Sequence, residues 1–125
     1  MSTRPHPESE RAMHGPLQSF DLGAEISRLR EEKRRRGRRS AIMLRKGGGL
    51  SVVLLVMKSW DGLEEHAAPG PISLVVREGR VRFTTAEASV EAGPETLLAC
   101  DAGVKHTVEA LGDAVCLLSV STEGA

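Results

Sequence analysis

From residue 40 onward, hydrophobic and polar positions alternate in short runs separated by glycine, proline and acidic turns. Ser40–Leu44 is a candidate strand followed by a Gly47-Gly48-Gly49 turn. Leu50–Lys58 is almost uniformly apolar and β-branched, as a strand buried on both faces would be. Asp61-Gly62 signals a tight turn. Ile72–Arg77 and Arg80–Thr84 flank Glu78-Gly79 and read as a hairpin, with Val81 and Phe83 facing one way and Arg80, Arg82 and Thr84 the other. Ala86-Glu87 leads by another hairpin into Ala88–Ala92, and Gly93-Pro94 breaks that run. Thr96–Cys100, Lys105–Ala110 and Ala114–Ser121 supply three further strands, with Gly112-Asp113 between the last two. Seven or eight short strands joined by tight turns predict an all-β sandwich or small barrel.

The first 40 residues follow a different pattern. Residues 1–19 lack periodicity and are rich in proline and charge, which predicts a disordered tail, with His6 and His14 solvated in it. Leu22, Ile26 and Leu29 then mark one stripe of an amphipathic helix, with Asp21 as N-cap, within residues 20–39. Gly37 is expected to end it. Residues 40–121 form the barrel.

Composition adds three constraints. The only aromatic residues are Phe20, Trp60 and Phe83, so the core must be aliphatic. Formal charge is zero overall, but residues 1–50 hold 12 Lys/Arg against 6 Asp/Glu while residues 51–125 hold 5 against 11, or +6 against −6. Much of the excess lies in Lys33–Arg39, six cations in seven residues, which would suit nucleic acid through Arg34–Arg39. No aromatic interleaves it, so a solvated helix end is the plainer reading and nucleic acid is not the expected partner. Cys100 and Cys116 are too few for a disulfide framework and fit buried thiols in a reducing compartment. Without an apolar run of membrane-spanning length or a signal-peptide core, the expectation is a cytoplasmic protein with no membrane partner.

Two stretches resemble the paired motifs of the cupins. His66-Ala67-Ala68-Pro69-Gly70-Pro71-Ile72 through Val81 is similar to the first motif, and Thr96–His106, ending Gly103-Val104-Lys105-His106, is similar to the second. The resemblance extends over about residues 20–121 and is closest to small single-domain bacterial cupins of the conserved-barrel type. It implies a cupin-like double-stranded β-helix, or jelly-roll barrel, preceded by one short N-terminal α-helix. It also implies a metal centre built from two histidines and a glutamate of the first motif and one histidine of the second. Here Ala68 stands at the second histidine position, Ile72 at the glutamate and Ala110 at an asparagine four residues beyond His106. Asp101 replaces a common proline.

His66 and His106 therefore remain as candidate metal ligands. Glu64 joins them because residues two apart on a strand point the same way. Such a set would hold one divalent ion (zinc, iron, manganese or nickel) or none. Ile72, Leu74, Val81, Phe83, Cys100, Val104 and Val108 are expected to line the pocket. The first expected function is small-molecule binding or sensing with a reduced or absent metal site. The alternatives are a metal-dependent dioxygenase- or isomerase-like enzyme using His66 and His106, and a nucleic-acid-associated protein. Apolar strands such as Leu50–Met57 and Ala114–Val120 leave sheet edges to cover, so a homodimer is expected.

Overall fold

A computed structural model describes residues 13–36 and 41–121, without the side chains of 33–36. Residues 1–12, including His6, residues 37–40, with the expected helix stop at Gly37, and residues 122–125 lie outside what is described, so of the basic stretch Lys33–Arg39 only the backbone of 33–36 is described. Helix α1 spans Leu22–Arg36. The Asp21 carboxylate accepts the Ala24 N–H at 3.0 Å and so caps its first turn.

Among the described residues nine strands follow: β1 (Ala41–Arg45), β2 (Leu50–Met57), β3 (Gly62–His66), β4 (Ile72–Glu78), β5 (Val81–Thr85), β6 (Ser89–Ala92), β7 (Leu97–Cys100), β8 (His106–Ala110) and β9 (Ala114–Ser121). They form a five-stranded sheet in the order β1-β2-β9-β4-β7 and a four-stranded sheet in the order β3-β8-β5-β6. Every ladder is antiparallel, and only β1–β2 and β5–β6 join consecutive strands. The remaining ladders are long-range, as a jelly roll requires.

This topology corrects the hairpin expected at Glu78-Gly79. β4 pairs with β7 and β9, whereas β5 pairs with β6 and β8, so the chain turns a corner there and crosses between sheets. Tight-turn chemistry is the same whether the next strand pairs or crosses. β2 and β9 are also interior strands; the edges of their sheet are β1 and β7.

Alternation sorts the apolar side chains into two cores. Between the sheets, Leu55, Met57, Ile72, Leu74, Val76, Val81, Phe83, Val108 and Cys116 form the barrel interior. On the outer face of the larger sheet, Leu44, Leu54, Val56 and Val115 pack against Ile26 and Leu29 of α1. The unbroken hydrophobicity of Leu50–Met57 thus reflects a strand with the interior on one face and a helix on the other. Arg30 adds an ion pair from α1 to Glu78 at 2.6 Å.

Residues 13–19, expected within the tail, are tied to the β1–β2 hairpin. Lys46 N–H donates to the Met13 carbonyl at 3.0 Å, and the Arg45 guanidinium donates to the Gly15 carbonyl and the Gln18 side chain, each at 3.1 Å. Among the described residues no helix is long and apolar enough to cross a membrane.

Candidate functional site

A bulge on β3 brings the two histidines together. Leu63 pairs with Val108, yet His66 pairs with His106, so β3 spends three residues where β8 spends two. Without the extra residue, regular pairing from Leu63 would place Glu65 opposite His106. The bulge instead sets His66 across from His106, the ring centroids 4.5 Å apart and tilted by 59°. It also breaks the two-residue alternation on which the position of Glu64 was expected. Glu64 and Glu65 are both exposed, and Glu64 meets His66 through its backbone carbonyl.

Both imidazoles are oriented by backbone. His66 Nδ1 lies 2.9 Å from the Glu64 carbonyl oxygen, and His106 Nδ1 lies 3.0 Å from that of Val104. A carbonyl can only accept, so each Nδ1 carries the proton and donates. In the neutral ring this leaves Nε2 with a free lone pair. His106 is 3 % exposed, whereas His66 is exposed and lies over it from the rim. On the interior side Phe83 stacks on His106, with centroids 4.9 Å apart and planes within 13°. The His106 ring is therefore in contact with both Phe83 and His66.

The same cross-strand row continues to Thr85 on β5, which pairs with His106. Sequence reasoning passed over Thr85, although it continues the inward Val81–Phe83 spacing. Its hydroxyl is occupied in the β5–β6 turn, accepting the Glu87 and Ala88 N–H groups at 3.3 and 3.2 Å. The loop after β3 and the loop before β8 are joined by Gly103 N–H donating to the Ala68 carbonyl at 3.0 Å. His66, His106 and the first residue of β4, Ile72, thus share one end of the barrel, its mouth.

Of the expected pocket lining, Ile72, Leu74, Val81, Phe83 and Val108 belong to the barrel interior, and Cys100 packs half-buried against it. Val104 is half-buried in the loop before β8, where its carbonyl rather than its side chain serves His106. The positions where the resemblance would put further polar groups are apolar packing positions. Ile72 is 6 % exposed, Ala110 is fully buried, and Ala68 packs against the interior cluster. Among the described residues no group of three or more His, Cys, Asp or Glu side chains is arranged to hold a metal ion. Cys116 lies in the interior, where burial pushes its thiol up to about 11 and keeps it protonated near neutral pH. Trp60 is 68 % exposed in the turn between β2 and β3, the end of β3 opposite His66.

No protein-family model matches this chain, and no curated protein does. Solved structures do. A cupin-2 domain containing protein from Shewanella frigidimarina superposes with a TM-score of 0.66 at 11 % identity, covering 82 % of this chain and 93 % of that one. A cupin superfamily protein from Desulfitobacterium hafniense gives 0.64 at 16 % identity, over 66 % of this chain and 76 % of that one. An RmlC-like cupin protein from Desulfovibrio desulfuricans gives 0.60 at 21 % identity, over 66 % and 80 %. At these identities the likeness concerns the fold, and the fold is that of a small cupin.

Proposed function

For a cupin-fold chain with this mouth, we propose small-molecule binding or sensing, with the Nε2 atoms of His66 and His106 as the recognition groups. The observation that supports it most is the pairing of two backbone-anchored imidazoles above an apolar interior. Each Nε2 lone pair accepts a hydrogen bond from a hydroxyl, amide or acid proton of a ligand. Apolar parts of that ligand would rest near Ile72 and Val108. Because both rings are already oriented, little freedom is lost when a ligand binds. Two imidazoles supply only half of a four-coordinate donor set, so a divalent ion held there would depend on water for the rest and bind loosely.

A metal-dependent enzyme of dioxygenase or isomerase type is the second reading. One observation favours it: metal-ligating histidines are commonly oriented by a hydrogen bond from the opposite ring nitrogen to a carbonyl, as both are here. The donor set is what weighs against it. A role for Arg34–Arg39 on nucleic acid rests on charge alone.

Titration with mixtures of small polar metabolites, followed through the histidine side-chain nitrogen resonances, tests the binding role. A ligand is expected to shift Nε2 of His66 and His106, to leave Nδ1 protonated, and to lose about tenfold or more in affinity with His66→Ala or His106→Ala. Ligands that bind both variants as tightly as the unaltered chain would contradict it.

A further inference from the structure

The loops that join the two sheets also set which strands face each other. Residues 58–61, 79–80, 93–96 and 111–113 carry β2 into β3, β4 into β5, β6 into β7 and β8 into β9. Such short links leave each strand facing the next, so β2-β9-β4-β7 lies over β3-β8-β5-β6 strand by strand. All four links sit at the end away from His66 and His106. At the mouth, the last inward row of the larger sheet is Ser51, Val120, Ile72 and Cys100, which are direct cross-strand partners. Val53 and Leu55, two and four residues beyond Ser51, pack in the barrel interior, so Ser51 shares the inward face. It stands on the strand that faces β3, across the mouth from His66.

Ser51 is the single polar side chain of β2 and is only 9 % exposed. Its hydroxyl makes no hydrogen bond among the described residues, where no fully buried side-chain nitrogen or oxygen lacks a partner. The Ser51 Oγ therefore touches solvent, and at this position that solvent lies in the mouth. Packing alone would be served as well by alanine or valine, without a hydroxyl to leave unbonded.

The two walls differ in what they ask of a ligand. Nε2 of each neutral imidazole only accepts, so that wall requires donors, whereas the serine hydroxyl opposite can donate. Among the described residues, the inward rows at the mouth hold no Lys or Arg and no carboxylate. Around the opening, Glu64, Glu65, Glu87 and Asp101 outnumber Lys46 and Lys105, and Arg45 is taken up by Gly15, Gln18 and the Leu50 carbonyl. A carboxylate ligand would bring no donor to the imidazoles and would enter a mostly acidic rim. An ammonium ligand would leave water with no inward carboxylate to pair it. Resting on the two-imidazole reading of the mouth, we propose that Ser51 is a third recognition group and that the site takes an uncharged primary amide. The amide N–H pair donates to His66 and His106, and its carbonyl accepts from the Ser51 hydroxyl.

Isobutyramide, isobutyrate and isobutylammonium share one branched apolar group and differ in the polar end, so titrating each into the full chain tests this. Histidine side-chain nitrogen resonances report the contact. Isobutyramide is expected to shift Nε2 of both His66 and His106 and to bind about tenfold or more tightly than either ion. Ser51→Ala should weaken the amide by about three- to tenfold while both Nε2 atoms still respond, and Ser51→Thr, which keeps the hydroxyl, should restore most of the loss. Far-UV circular dichroism checks that both variants fold. Binding of the amide that is equally tight in Ser51→Ala, or tighter binding of either ion, would overturn the role of Ser51 or the uncharged class and leave the two-imidazole site standing. No Nε2 shift with any of the three would overturn the inference, and the wider binding role falls only if the metabolite mixtures fail as well.

Discussion

Gly79→Ala is expected to cost about 3–5 kcal/mol of folding stability, combining backbone strain with a steric overlap that nothing nearby can relieve. Gly79 sits at the corner between β4 and β5, where the chain leaves one sheet for the other. Its φ is +80°, in the left-handed region that an L side chain adopts only at a cost of about 1–2 kcal/mol. An added Cβ would also overlap the carbonyl oxygen of Asp113 and approach Ala114 Cα to 2.9 Å, both backbone atoms. Relief would require shifting the β8–β9 loop, which is held by Leu111 N–H donating to the Arg80 carbonyl at 3.0 Å. Gly103→Ala separates the two causes. Its φ is +79°, but an added Cβ meets nothing within 4 Å, so only the strain of about 1–2 kcal/mol is expected. Equal losses for the two variants in denaturant unfolding would show that the corner contact is not the dominant cost.

Leu54→Ala is expected to cost about 2–5 kcal/mol and to loosen α1. Leu54 is fully buried in the outer core, beside Leu117 and Ile42 in the sheet and grouped with Ile26 and Leu29 of the helix. Truncation removes apolar contacts and leaves a cavity beneath a helix whose own hold on the sheet rests on few apolar side chains. Hydrogen exchange should therefore quicken in α1 more than in β5 or β8, on the opposite sheet. Leu17→Ala, at an 86 % exposed position, should stay within about 0.5 kcal/mol of the unaltered chain. A loss below about 1 kcal/mol for Leu54→Ala, with α1 exchange unchanged, would mean that the helix is not anchored by this core.

Local pattern made much of the fold legible. The alternation of Val81 and Phe83 with Arg82 and Thr84 matches the observed burial, and Leu22, Ile26 and Leu29 mark the face of α1 that packs on the sheet. Pattern could not show which strands pair. The Glu78-Gly79 turn looks like a hairpin because turn residues report the local backbone angles and not the destination of the next strand. The strands with the strongest apolar signal, β2 and β9, suggested edges to cover, yet they are apolar because both faces are packed. The edges of that sheet are β1 and β7, whose five and four residues give a weaker signal.

Candidate site residues divide in the same way. His66 and His106 were legible from motif resemblance, and they do meet. Glu64 rested on strict alternation, and a single bulged residue between Leu63 and His66 removes that basis. No residue type at 63–66 announces a bulge, because the shift is set by the pairing with β8. The anchoring of both Nδ1 atoms by backbone carbonyls was likewise beyond pattern, since it depends on loop geometry.

Metal analysis of chelator-free protein beside its His106→Ala variant bears most directly on the claim that the mouth is a two-imidazole binding site and not a metal centre. A rim with two imidazole donors predicts less than about 0.1 equivalent of zinc, iron, manganese or nickel, the same in both proteins. About one equivalent in the unaltered protein, lost in the variant, would contradict it.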